Sequence, residues 1–407
     1  MTAATIPTRH PARPRTAPGV IRLFARLYGV RGPSPDDWRE LGEQLMAGDE
    51  PMDRLLEWMA ATGLRETRPL FDRALAEGID RVPDAPEPLR EFFARVEATP
   101  GWVDWELLDR GARAMRMAGA DGMFLARDVS LLGGYMFSGF NKTLLRTGAL
   151  EKGSNQRFAE TMQWAMDAIS PGGMRPGALG YRSTLRVRLI HSFVRRHVSA
   201  LPDWRGEDWG VPVNQTDMAA TIVGSFIAPT AGGLGMGILP RPADAEAIAH
   251  FTRYVGWLLG VREEFLPVDF RDAIRLLAHT LAALSNPDES SKQLAVPMID
   301  DPIAWNYRRF PALRRRLARS QHLSITSTFL GPLAMRSLGL PMFVPPWYPL
   351  LRFPINATRS VAAWTLPGGR DRAAARGTRE IDALMELMTG GHGAEIGHSA
   401  HHVHPAA

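Results

Sequence analysis

Apolar residues recur at helical spacing along this chain, most regularly in Phe270, Ile274, Leu277, Leu281 and Leu284, a stripe that stops at the turn signal Ser285-Asn286-Pro287. These positions fall on one face of a 3.6-residue helix, so the segment must bury that face against a core. A second helix is expected from Pro242, with Asp244 as candidate N-cap, through Ile248, Phe251, Tyr254, Val255, Leu258 and Leu259 to a stop at Gly260. No period-two alternation bounded by turn residues and no short internal repeat stands out, which points to an all-α fold. From Met218 to Pro240 there is no charged residue, a length that raises the question of a membrane span. Pro229 and the run Ala231 to Gly237 argue instead for a buried helix followed by a tight apolar loop, with a peripheral membrane contact left open. Residues 1–18 are rich in Pro, Arg and Thr and residues 390–407 in Gly, His and Ala. Both ends are expected to be disordered, leaving 19–389 as a single large helical domain.

Composition narrows the chemistry. With 407 residues, 45% of them hydrophobic, the chain can bury a sizeable core. It has no cysteine, which excludes disulfides, thiolate zinc, iron–sulfur clusters, covalent c-type haem and thiolate-ligated haem. Any metal must therefore use His, carboxylate or Tyr. The formal charge is +5 and only three of the basic residues are lysines, Lys142, Lys152 and Lys292. Arginines are mostly interspersed with acids, and the basic run from Arg308 to Arg319 has no nucleic-acid motif beside it, so no nucleic-acid partner is expected. The N-terminus lacks the continuous apolar stretch of a secretory signal, and a cytoplasmic location is the expectation.

The stretch LRVRLIHSFVRRHV places Val187, His191, Val194 and Val198 on one face, so His191 points to the core. A neutral imidazole there suits haem iron, and it equally suits a satisfied core histidine. On a second helix, Gln156 to Ala168, the residues Arg157, Thr161, Trp164 and Ala168 share a face, with Glu160 beside Thr161. A cation, a hydroxyl and a carboxylate on such a face can steer dioxygen and accept a proton, or simply form a solvated edge. His250 and His279 fall on expected helices as core or surface residues, and either is a possible second axial ligand. His392, His398, His401, His402 and His404 form an array in the terminal tail that could chelate a transition metal or be incidental. Glu289, Asp300 and Asp301 read as ordinary loop acids near prolines.

Arg157-x-x-x-Thr161, followed by Val187-Arg188-x-x-His191-x-x-x-Arg195, resembles the signature of the rubber oxygenase (latex-clearing protein) and MpaB-like oxygenase family. Gly210 to Met218, with Thr216 as candidate N-cap, and Arg253 to Val261 are similar to later blocks of that family, and the likeness covers about 102–339. The resemblance implies a globin-like core, a non-covalent haem b, and cleavage of a carbon–carbon double bond by dioxygen as co-substrate. The implied substrate is a hydrophobic isoprenoid or unsaturated lipid. By matching position, His191 takes the proximal iron-ligand role and Arg157 and Thr161 the motif roles near the haem. Arg188 and Arg195 are candidates for propionate pairing or for helix packing.

Two positions depart from the family pattern. Glu160 stands where latex-clearing members carry a lysine that can cap the iron, and Asn141 stands where they carry an acid, Glu151 being the nearest carboxylate downstream. Glu160 is then a candidate base for an allylic proton. A smaller isoprenoid fits these departures better than solid rubber. The competing readings are a non-catalytic haem or lipid carrier with the same fold, and a haem-free helical protein that meets membranes through Met218 to Leu239 or Pro341 to Leu351.

Overall fold

A computed structural model describes residues 6–17, 19–148 and 150–394, and among them every extended element is helical, with one isolated bridge between Phe137 and Asn286. The hub is the Gln215–Leu234 helix, which packs against Phe270–Leu284, Pro242–Leu258 and a rod formed by Gly119–Leu125, the π-helical Ala126–Leu131 and Leu132–Gly134. Around it lie Ser154–Ile169 and Leu179–Ser199, which pack on one another, and the long Pro311–Ser337, Trp347–Thr365 and Gly369–Thr389 helices. Helices begin at Gly19 and end at Thr389.

Local chemistry explains most boundaries. The Phe270 stripe forms a helix capped by Asp269, whose carboxylate accepts from the Asp272 amide, and the helix stops at Leu284 as its turn signal requires. The hub helix starts one residue before Thr216: Asn214 is the cap, its side chain accepting from the Asp217 amide, while Thr216 sits inside and donates to the Leu41 carbonyl. Asp244 does not cap its helix either. It lies buried in the first turn, where Arg110 and Arg370 pair with it at 2.8 and 2.5 Å. Pro229 fails to interrupt the hub helix, which runs on through Gly232 and Gly233 to Leu234 before the apolar turn into Pro240. Proline removes a single helical hydrogen bond, and tight packing on several sides outweighs that loss. Close crossings depend on glycine: a Cβ on Gly377 would collide with the Arg116 carbonyl, and one on Gly111 with that of Ala247.

The expected disorder of 1–18 is corrected for residues 6–17, which lie against the body. Arg9 pairs with Asp217 at 2.7 Å, Thr8 donates to Asp208 and His10 packs on Trp38. Of the terminal histidines only His392 falls within the described residues; His398, His401, His402 and His404 lie outside them.

Candidate functional site

The helices form a partly open cavity of about 500 Å3, within the size range of cofactor and small-molecule pockets, with Thr161 exposed at its wall. Three helices set its chemistry. Leu179–Ser199 presents Val187, His191 and Val194; Ser154–Ile169 presents Arg157, Glu160, Thr161 and Trp164; and the hub helix presents small residues, Ala220, Gly224, Ala228 and Ala231, at helical spacing. That stripe accounts for the lack of charge along 218–232, where the helix walls the cavity on one side and packs on its neighbours on the others. Open space surrounds the Cβ position of Gly224, so a larger side chain there would project into the void.

His191 is deep in the protein, and what surface it retains faces the cavity. Its Nδ1 is buried without a hydrogen-bond partner, which leaves Nε2 as the ring nitrogen open to the cavity. Burial, assisted by the Arg195 charge, lowers its pKa to about 4 against a weaker opposing pull from Asp49, so the imidazole is neutral at pH 7 with a lone pair to offer. Among the described residues no three His or carboxylate side chains cluster as a metal site. A lone imidazole holds iron only when another group, such as a macrocycle, supplies the remaining ligands. The size, apolar walls and single neutral histidine therefore fit haem, and Arg157 and Lys152, the cations on the wall, fit its propionates.

The second helix brings its polar trio to the same cavity. Arg157 donates to the Tyr135 hydroxyl at 3.0 Å, and its own Nε is buried without a partner. Burial raises the Tyr135 pKa in spite of that arginine, so the phenol keeps its proton. Thr161 donates its hydroxyl proton to the Arg157 carbonyl at 2.9 Å, which turns oxygen lone pairs outward from the helix. Glu160 is buried, accepts from Gln156 at 3.3 Å, and opposes the downward shift that burial imposes on Lys152. Tyr135 and Lys152 were not legible as site residues: one sits in the turn after the rod and the other in the turn before the helix, where no periodicity speaks.

Arg188 and Arg195 do not line the cavity. Arg188 makes a buried two-pronged pair with Asp49 at 2.6 and 2.8 Å and donates to the Leu258 carbonyl; Arg195 pairs with Asp53 at 2.8 Å and donates to the Val213 carbonyl. Of the two roles left open by the sequence, their contacts supply only packing. Asn141 is also behind the wall, where its amide donates to the Tyr135 carbonyl at 2.8 Å and to Ser290, holding the turn that carries Tyr135. Glu151 is exposed and away from the cavity. His250 accepts from the Asp104 amide and His279 bonds the Arg31 carbonyl, both outside the cavity.

A model of the family described as "ER-bound oxygenase mpaB/B'/Rubber oxygenase, catalytic domain" matches residues 115–366. Rubber oxygenase from Streptomyces sp. (strain K30) is 25% identical over 202 residues, 48% of this chain and 47% of the relative, so the match spans about half the length of that curated relative. The structure of latex clearing protein LCP in the closed state aligns at a TM-score of 0.62 and 19% identity, over 83% of this chain and 91% of the other, a likeness of fold.

Proposed function

Because the chain belongs to the ER-bound oxygenase MpaB and rubber oxygenase family, we propose that it is a haem b-dependent oxygenase that cleaves a carbon–carbon double bond of an isoprenoid or similar unsaturated chain. The observation that carries this reading is a neutral imidazole, His191, opening into a largely apolar cavity that Arg157, Glu160 and Thr161 of the adjoining helix also line. His191 Nε2 is the proposed iron ligand, and haem, when bound, supplies the activation of dioxygen. Cleavage to two carbonyls places one oxygen atom on each alkene carbon, so dioxygen serves as oxidant without a separate reductant.

The side chains have separable tasks. The small-residue stripe of the hub helix and the facing valines bind a hydrocarbon chain and exclude water, which strengthens polar interactions at the reacting atoms. Arg157 and the protonated Tyr135 present a cation and an O–H to the developing negative charge on oxygen. A Glu160 carboxylate oxygen is the proposed acceptor of an allylic proton, a task that Asn141 has no chemistry for and no access to.

Oxygen uptake by haem-reconstituted protein with a short polyprenyl substrate, paired with mass spectrometry of the products, tests the proposal. Uptake with stoichiometric carbonyl products is expected, and Glu160→Gln should lower the rate by roughly 100-fold or more if it moves a proton. The reading favoured by Asn141 is a haem or lipid carrier, for which the substrate would bind and no dioxygen would be consumed.

A further inference from the structure

The Trp347–Thr365 helix is built inside out. Its polar residues face the body: Tyr348 donates to Asp121 at 2.8 Å, Arg352 and Asn356 reach the same carboxylate at 2.7 Å each, and Arg359 pairs with Glu380 at 3.3 Å. Its exposed positions, from Leu350 to Thr365, contain no charged residue. Leu350 and Leu351 are 67% and 56% exposed, and Phe343 in the loop before them is 82% exposed. Turning four polar side chains toward the body, Asn356 buried and the other three half-buried, while leucines face water is the reverse of the ordinary amphipathic arrangement, and contiguous apolar surface of this kind marks a docking face.

The surrounding charge says what docks there. From Pro302 to Arg370 the sequence has ten arginines and no acidic residue; Arg308, Arg319, Arg352, Arg359 and Arg370 pair with acids outside that stretch, whereas Arg309, Arg314, Arg315, Arg316 and Arg336 have no ion pair among the described residues. Arg314, Arg315 and Arg316 are exposed at the start of the neighbouring Pro311–Ser337 helix, bracketed by exposed Leu313 and Leu317. The two helices are fastened together by Trp347 donating to Ser320 and by the Tyr348 amide donating to Ser324, both at 3.2 Å. A second copy of the chain would bring the same arginine-rich surface against itself, since a two-fold contact pairs a patch with its own image. A nucleic acid would satisfy the arginines and leave the leucines and Phe343 in water. An anionic bilayer takes both, the apolar side chains entering the acyl boundary and the guanidinium groups meeting lipid phosphates.

We propose that this face, the outer side of the Trp347–Thr365 helix with the Phe343 loop and the Arg314–Arg316 turn, docks the protein on an anionic lipid surface. The helix lies on the surface and does not cross it, since no described helix is long and apolar enough to span and Arg352 and Asn356 are tied to Asp121. The Pro311–Ser337 segment, kinked at Gly331, carries the exposed arginines near its start and supplies Leu330 and Ala334 to the cavity wall at the kink. This inference does not depend on the oxygenase reading.

Flotation of the full chain with phosphatidylcholine vesicles, with and without phosphatidylserine, tests it. The protein should float with the phosphatidylserine vesicles and stay behind with phosphatidylcholine alone. Replacing Arg314, Arg315 and Arg316 by Gln should weaken partitioning roughly fivefold per arginine removed, and Leu350→Glu with Leu351→Glu should abolish flotation, with thermal melts unchanged because these side chains touch solvent. Phe343→Trp gives an independent readout, an added fluorescence that brominated anionic lipids quench. Protein left in the aqueous fraction with both vesicle types, or a dimer in light scattering that the paired Glu substitutions dissociate, overturns the proposal.

Discussion

His191 and His322 both sit on long helices and have their pKa values lowered by burial, yet their surroundings differ in one decisive respect. His191 has a cavity on the side of Nε2 and no hydrogen-bond partner for Nδ1. His322 has no exposed surface. Its Nδ1 donates to Asp128 at 2.5 Å, Arg127 pairs with the same carboxylate at 2.7 Å, and Phe124 and Trp305 press their edges on the ring. Burial does not make a ligand. Space beside the lone pair does, and of the two it is His191 that has it. The same contrast separates two apolar helices, the hub helix turning its uncharged stripe inward to wall a cavity and the Trp347–Thr365 helix turning its own outward.

The comparison breaks most readily at the packed histidine. Asp128→Ala leaves His322 without its partner and Arg127 with only Asp301 and the Met298 carbonyl, and removing one partner from a buried charged network costs about 3–5 kcal/mol. Chemical denaturation should show that loss, while haem bound per folded molecule stays at the wild-type level. Arg188→Ala makes a similar test of the cofactor side: Asp49 is left buried and unpaired, so a loss of the same order is expected with haem content retained. Haem loss without destabilisation would return Arg188 to a propionate role.

The next effect is one of pH. In the folded apoprotein His191 takes up a proton only near pH 4, whereas in the unfolded chain it does so near its ordinary 6.5. Between those values the unfolded chain holds the extra proton. Its contribution is therefore fully present above the unfolded value and is lost as pH falls toward 4, by on the order of 3 kcal/mol. His191→Phe should flatten that part of the stability profile, and an unchanged slope would remove burial of the imidazole from the account.

Smallest in stability and most specific in function is Gly224. Changing it to Ala should stabilise the hub helix by about 1 kcal/mol, because glycine is a poor helix residue and open space receives the methyl group. Gly224→Phe should leave the melt near wild type and weaken haem uptake by at least roughly tenfold, since its ring occupies the space meant for the ligand. Unimpaired uptake would move the cofactor elsewhere in the cavity.

Helical periodicity made the all-α class and the Phe270–Leu284 helix legible, because local spacing alone decides them. Caps were less so. Asn214 outranks Thr216 as a cap residue and takes the cap, while Thr216 donates its hydroxyl proton to the Leu41 carbonyl. Pro229 was read as a breaker because sequence does not reveal how firmly neighbours hold a helix. At the site, the spacing of Val187, His191 and Val194 and of Arg157, Thr161 and Trp164 identified side chains that do share one cavity. Nothing local pointed to His322, whose carboxylate partner lies 194 residues away, or to Tyr135, whose relation to Arg157 depends on a turn.

The most direct measurement compares haem loading in His191→Ala and His322→Ala, by visible spectrum and pyridine haemochrome after reconstitution, on protein verified as folded. A Soret band is expected in the wild type and in His322→Ala and none in His191→Ala. A Soret band that survives in His191→Ala unaltered, or that disappears only in His322→Ala, would contradict the assignment of His191 as the iron ligand.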